Sequence, residues 1–182
     1  RYDAGTNHRS SNEELVVSEI GQVGTQFDTF SHQMIGDSLY NCVSIADAAT
    51  RSGFSKFGVE KVGALVTRGV LVDVAGFKNV PVLPNSYEIT PQDLQDALRK
   101  QRLAPEPGDA VLIYTGWGAH WGVDNARYQA SSPGIGVAAA EWLARQDPML
   151  VGADNGGVEG APNPAEHLRG PVHQIMLRVY GN

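Results

Sequence analysis

The spacing of apolar residues predicts an amphipathic helix over residues 90–100. Leu94 and Leu98 recur at helical spacing and would share one face of it. Thr90 suits the N-cap position and Pro91 the first helical position, while acidic residues precede basic ones along the segment. This helix is predicted to be scaffold. A second helix is predicted over residues 134–146, whose apolar residues are Val137, Ala140, Trp142, Leu143 and Ala144.

Apolar runs rich in β-branched residues predict strands. These strands are expected at residues 15–20, 69–75, 110–115 and 149–154. Asp73 interrupts the second run, and because an acid in a buried strand is costly unless paired, its presence there calls for an explanation. Short helical turns are expected at residues 45–51 and 57–65, and loops at residues 1–13, 33–44 and 76–89. Strands and helices alternate without a strict repeat, which predicts a single α/β or α+β domain over residues 1–182 with a mixed sheet.

Composition limits the function. The 182 residues are 42% hydrophobic, enough to bury a core, and 14 basic against 20 acidic residues give a net charge of −6. Nucleic-acid binding is therefore not expected, because phosphate contacts need a basic face. Cys42 is the single cysteine, which excludes an internal disulfide, and no apolar run is long enough to cross a bilayer. We expect a cytoplasmic protein without a membrane partner, although the start at Arg1 leaves a removed signal peptide as an alternative.

Four side chains that could ligate a metal or move a proton fall within eleven residues, namely Gln22, Gln26, Asp28 and His32. On a strand, the first three would project from one face, with His32 on the turn beyond it. Residues four apart on a straight strand are separated by roughly 13 Å, too far to share one ion. A bend is therefore required, and Gly21 and Gly24 lie where a kink would bring the side chains together.

This run resembles the signature of the metal-dependent cyclase family, His-x-Gly-Thr-His-x-Asp-x-x-x-His. The family includes bacterial kynurenine formamidases, isatin hydrolases and trans-dienelactone hydrolases. The matching residues are Gly24, Thr25, Asp28 and His32. Gln22 and Gln26 stand where most members have histidine, as in a branch similar to the dienelactone hydrolases. Amide oxygens are weaker zinc ligands than imidazole and favour harder cations.

The resemblance implies the swivelling β/β/α fold, from about Val16 onward. His173 and the residues after it resemble the late helix of the family, which a strand carrying an active-site Glu or Gln normally follows. Since the chain ends at Asn182, we expect that residue and the final strand to be missing. The resemblance also implies a small-molecule substrate and a homo-oligomer.

The implied reaction is hydrolysis of an amide, lactam or lactone with the help of a divalent metal ion, and zinc or manganese is the expected metal. Asp28 and the amide oxygens of Gln22 and Gln26 would hold the ion, which lowers the pKa of bound water and generates hydroxide. His32 would be the general base, and His173 would ligate a second ion or protonate the leaving group. Each residue has a plainer alternative: Asp28 could cap a turn, the glutamines could bond within a strand, and both histidines could be satisfied core residues.

The segment around Trp117 and Trp121 could form the walls for a planar ring, or it could be a loop whose tryptophans cover the core. The main alternative function is a catalytically inactive small-molecule binding module that has lost its histidine ligands. A serine hydrolase is disfavoured because no Gly-x-Ser-x-Gly elbow occurs. A site completed by a neighbouring subunit is a further alternative.

Overall fold

The computed structural model describes residues 24–163 and 169–181 of the chain. Strands and helices alternate along this part of the chain. The strands are β1 (Ala49–Thr50), β2 (Gly53–Phe54), β3 (Gly69–Asp73), β4 (Glu88–Ile89), β5 (Ala110–Tyr114), β6 (Gly134–Ile135) and β7 (Leu150–Ala153). The helices are α1 (Ile45–Ala48), α2 (Val74–Phe77), α3 (Pro91–Gln101), α4 (Asn125–Ala130), α5 (Val137–Ala144) and α6 (Pro171–His173), the last continuing as a π-helix over Gln174–Tyr180. Short 3₁₀ turns cover Tyr40–Cys42, Val59–Lys61 and Trp117–His120.

A three-stranded parallel sheet, in the order β3-β5-β7, forms the centre of the fold. Its register pairs Leu71 with Leu112, and Leu112 with Gly152, so the carboxyl ends of the three strands meet at one edge. β4 and β6 form a second, parallel pair, whereas β1 and β2 pair antiparallel. Parallel and antiparallel pairing both occur, and the predicted α/β class is confirmed.

Among residues 24–163 and 169–181, one face of the central sheet is buried in the core. Val72 and Ile113 belong to a core that also contains Leu94 of α3 and Leu143 of α5. These residues follow from the strand period of two and from the apolar helix faces seen in the sequence. The opposite face of the same sheet lines a cavity described below.

The N-terminus of α3 is anchored by a buried carboxylate. Thr90 and Asp93 form a reciprocal capping box, in which each side chain accepts the other's backbone N–H, at 3.0 and 3.2 Å. Asp93 also pairs with Lys78 and accepts the Tyr87 hydroxyl at 3.1 Å. Burial would raise the pKa of Asp93, but hydrogen bonds from Lys78 and Thr90 outweigh it and hold that pKa below its usual value.

Most predicted elements are confirmed close to their predicted bounds: the strands at 110–115 and 149–154, the helix at 90–100 and the short turn at 57–65. The strand predicted at 69–75 ends at Asp73, because residues 74–75 begin α2, and the helical turn predicted at 45–51 ends at Ala48, because residues 49–50 form β1. The predicted helix at 134–146 starts later, because residues 134–135 pair with β4 as β6. Asp73 is structural: it caps α2 by accepting the N–H of Gly76 at 2.7 Å. The strand predicted at 15–20 lies outside the described residues.

The strand considered for residues 22–28 is wrong from Gly24 onward, where the backbone bends before a turn at residues 30–31. Its polar groups bond to a neighbouring loop: the hydroxyls of Thr29 and Ser31 donate to the carbonyl of Phe57, at 2.7 and 3.0 Å. These side-chain bonds compete with strand pairing. None of the helices in the described part of the chain has the length and apolar character needed to span a bilayer.

Candidate active site

A turn brings Asp28 and His32 together. The N–H of His32 donates to the carbonyl of Thr29 at 2.9 Å, which reverses the chain. As a result, Nε2 of His32 lies 3.7 Å from Oδ2 of Asp28. The bend that the sequence required is therefore a turn rather than a kinked strand.

His173 reaches the same carboxylate from the other end of the chain. It lies in the first turn of α6, and its Nε2 is 3.9 Å from Oδ2 of Asp28. Arg178 fixes the helix against the segment after His32, because its guanidinium donates to the carbonyl of Ser38 at 2.9 Å and to its hydroxyl at 3.0 Å. The rings of His32 and His173 are 5.7 Å apart between centroids.

Asp28, His32 and His173 form a group that could hold a metal ion. One potential ligand atom of each lies within 4.8 Å of the other two. Tetrahedral zinc with bonds of 2.0–2.2 Å would place its ligand atoms about 3.4 Å apart. The distances of 3.7 and 3.9 Å from Oδ2 of Asp28 need only a small closure, and the three ligand atoms together, which lie within 4.8 Å of one another, would have to move closer. A carboxylate with two imidazoles is also a donor set suited to zinc or manganese. The residues therefore fit a divalent cation.

Glu159 supports His173 from behind and was not predicted as a site residue. Its carboxylate pairs with Nδ1 of His173, and its other oxygen accepts the N–H of Val172 at 3.3 Å. Burial alone would lower the pKa of His173, but the hydrogen bond and charge of Glu159 and the charge of Asp28 outweigh it and raise that pKa above its usual value. Glu159 lies fourteen residues before His173 in the sequence, a separation that does not reveal the contact.

The turn that presents Glu159 is held by Asn155. The side-chain oxygen of Asn155 accepts the N–H of Val158 at 2.6 Å, and its amide nitrogen donates to the carbonyl of Pro133 at 2.6 Å. Val158 has a φ of 65°, a left-handed conformation that is costly for a β-branched residue. Backbone strain of this kind costs on the order of 1–3 kcal/mol and persists only where the surroundings impose it.

A cavity of about 1380 Å³ opens beside these groups. Asp28, His173 and Glu159 contribute polar side chains to its wall. Much of the remaining lining is apolar and includes Phe27, Leu71, Leu112, Tyr114, Met149 and Val151. The open face of the central sheet is therefore one wall of the cavity, and a site of this size can hold a small molecule.

The two tryptophans take different positions. Trp121 is 45% exposed and lines the cavity, with its ring against the edge of Tyr128 at 5.1 Å. Trp117 is fully buried, and its indole N–H donates to the carbonyl of Tyr128 at 3.2 Å. The expectation that Trp117 could form a wall is therefore corrected: it packs in the interior, the alternative stated for this segment.

Asp154 is a further cavity residue that the sequence reasoning missed. It directly follows β7 and accepts hydrogen bonds from the N–H and hydroxyl of Thr115, at 2.8 and 2.6 Å, and from the N–H of Gly118 at 3.3 Å. Its position is typical of ligand sites at the carboxyl edge of parallel strands. An acid at the last position of the strand predicted over residues 149–154 was the available signal.

Gln26 lines the same cavity as Asp28, whereas Gln22 lies outside the described residues. The structure thus brings Asp28, His32 and His173 together and places Gln26 and Trp121 on the cavity that Asp28 and His173 line.

Comparison with known proteins identifies the family of the chain. A family model described as "Putative cyclase" matches residues 5–160. The chain belongs to the cyclase family. A cyclase of known crystal structure has 38% sequence identity to this chain and a TM-score of 0.76. The match covers 85% of this chain and 51% of that one. The isatin hydrolase A of Ralstonia solanacearum is 23% identical, with a TM-score of 0.50 over 61% of this chain and 43% of that protein, which shows similarity of fold.

The chain spans about half the length of the cyclase structure that it matches. No curated protein matches it significantly.

Proposed function

We propose that this cyclase-family chain carries the active site of a metal-dependent hydrolase that cleaves an amide, lactam or lactone bond. The observation that carries the proposal is the convergence of Asp28, His32 and His173 beside an apolar cavity. Membership of the cyclase family and a relative named isatin hydrolase are consistent with it.

Asp28 and His173 are proposed as metal ligands, with the amide oxygens of Gln22 and Gln26 completing the set. A divalent cation held there would polarise a substrate carbonyl and lower the pKa of a bound water toward neutrality. Asp28 is suited to a central role because both histidines face the same oxygen, Oδ2. Glu159 leaves only Nε2 of His173 to face it.

His32 is proposed as the general base. Its side chain is 39% exposed and is therefore more accessible than that of His173, at 20%. An imidazole can accept a proton from water and then pass it to the leaving group. Its closeness to Asp28 places the proton acceptor beside the proposed metal ligand.

The cavity favours a flat, largely apolar substrate. Trp121 and Tyr128 offer aromatic surface, and leucines of the open sheet face offer a flat floor. An aryl formamide or aryl lactam would place its ring against these walls. A lactone is the alternative that the two glutamines favour.

The proposal is tested by metal analysis and hydrolysis assays on the intact protein, with Asp28→Ala and the exposed Asp47→Ala as a matched control. We expect one or two divalent ions in the parent and in Asp47→Ala, and loss of metal and turnover in Asp28→Ala. Aryl formamides, aryl lactams and lactones would be compared, with and without chelator. Unchanged metal content and hydrolysis in Asp28→Ala would refute the mechanism, whereas tight ligand binding without turnover would favour the inactive binding module.

The substrate is proposed to be a small molecule. The homo-oligomer implied by the family resemblance stays a prediction, which sedimentation of the intact protein would test.

A further inference from the structure

Both carboxylate oxygens of Glu159 are engaged by the start of α6. One pairs with Nδ1 of His173, and the other accepts the N–H of Val172 at 3.3 Å. The Glu159 side chain is 12% exposed, so these protein contacts take the place of most of its hydration. A carboxylate is also favoured at this point because the N-terminus of a helix carries partial positive charge.

The position of Glu159 is fixed by its own backbone. Asn155 accepts the N–H of Val158, and its amide nitrogen lies 3.3 Å from the carbonyl oxygens of Val158 and Glu159. Gly157 lies close to the imidazole: a Cβ there would be 3.5 Å from Cε1 of His173. The turn therefore brings the carboxylate to the imidazole at close range, with a small residue where the ring needs space.

Nδ1 and Nε2 of an imidazole are not equivalent, and a hydrogen bond at one of them decides which carries the proton. A carboxylate accepts only, so Nδ1 must donate to Glu159. In the neutral ring Nε2 is then unprotonated, and it is the nitrogen that faces Asp28 at 3.9 Å. A nitrogen in that state has the lone pair that a metal ligand needs.

We propose that Glu159 is a positioning residue that fixes the tautomer and the ring orientation of His173, so that the lone pair of Nε2 points toward Asp28. This inference rests on the proposed function only in naming a metal as the group that the lone pair serves. The contact itself belongs to the metal-free protein.

The test compares Glu159→Ala and Glu159→Asp with the control Glu141→Ala in the intact protein. Glu141 is partly exposed and pairs with Arg145 at 3.0 Å, so its loss removes a carboxylate away from the site. Glu159→Asp keeps the charge at the helix N-terminus but shortens the side chain by one methylene group. It therefore remains informative should the alanine variant fail to fold.

Two measurements are made. The first is zinc and manganese affinity by calorimetric titration, for which we expect a loss of about 10–100-fold in both Glu159 variants and no change in the control. The second is the ¹⁵N spectrum of histidine-labelled, metal-free protein at a pH above the raised pKa of His173, where its ring is neutral, with the His173 signal assigned by His173→Gln. We expect a single Nδ1-protonated tautomer in the parent and a mixture of tautomers in the Glu159 variants.

A purely structural role would lower the unfolding temperature of the Glu159 variants but leave the tautomer and metal affinity unchanged, and that result would overturn the inference. The spectrum needs neither metal nor substrate. If Asp28→Ala kept its metal and activity, the proposed hydrolase would fail while the spectrum would still decide the role of Glu159.

Discussion

The two faces of the central sheet have the same kind of sequence but different surroundings. Val72 is fully buried and Ile113 is 2% exposed beneath the helices, whereas on the opposite face Leu71 is 50% exposed and Leu112 and Tyr114 are each 41% exposed. All five residues come from two adjacent parallel strands. Apolar residues therefore form the packed core on one face and line a cavity on the other.

This difference separates the residues expected to control folding from those expected to control function. Burial of an apolar side chain contributes about 1.5–3 kcal/mol, and a half-exposed side chain contributes less. Apolar surface on the open face is still exposed to water, so a ligand that covers it would gain hydrophobic binding free energy.

The largest effect is expected among the residues that line the cavity. Asp28→Ala should reduce kcat/KM on the order of 10³-fold or more, because it removes the carboxylate shared by both histidines. The unfolding temperature should change little, since Asp28 lies outside the packed core. Steady-state kinetics and calorimetry would check both points, and equal losses of stability and activity would erase the distinction between the two faces.

The second prediction compares the two faces of the central sheet through neighbouring residues of β5. Ile113→Ala should cost about 2–5 kcal/mol of unfolding free energy, because it leaves a cavity in a packed core. Leu112→Ala should cost less than half as much, since Leu112 points into the open cavity. Urea denaturation of both variants is the measurement, and similar losses would mean that the open face is covered in solution.

The third prediction concerns the buried polar contacts at the N-terminus of α3. Asp93→Asn should cost about 1–3 kcal/mol at pH 7, because Asp93 is buried with Lys78, Thr90 and Tyr87 as partners. The folded-state pKa of Asp93 lies below its usual 3.8, so the contribution of the carboxylate is present above about that pH and is lost as the pH falls through the folded pKa. Denaturation at several pH values should therefore show the parent and variant converging in acid; a gap of constant size would contradict this origin.

The smallest effect is expected at the aromatic wall of the cavity. Trp121→Ala should raise KM for an aryl substrate about 2–10-fold, because one aromatic contact contributes about 0.5–1.5 kcal/mol. It should leave stability nearly unchanged, unlike Trp117→Ala, which removes a fully buried ring and should cost about 3–5 kcal/mol. Kinetics and thermal unfolding of this pair would show whether the two tryptophans play the different roles that their burial indicates.

Sequence periodicity was sufficient for the scaffold. The α3 helix and the three central strands appear close to their predicted bounds, because capping residues and strand or helix periods act locally. The motif from Gly24 to His32 correctly grouped Asp28 with His32, although the backbone there turns instead of forming a strand. The contact of His173 with Asp28 could not be derived from spacing.

By itself, the amino-acid sequence determined the α/β alternation, the capped helix and the family motif, since these depend on residues close together along the chain. Only the tertiary structure decided which sheet face is buried, that Trp117 lies inside while Trp121 faces the cavity, and that Glu159 supports His173. The physical reason is that these contacts join residues far apart in sequence, and such contacts depend on how whole elements pack.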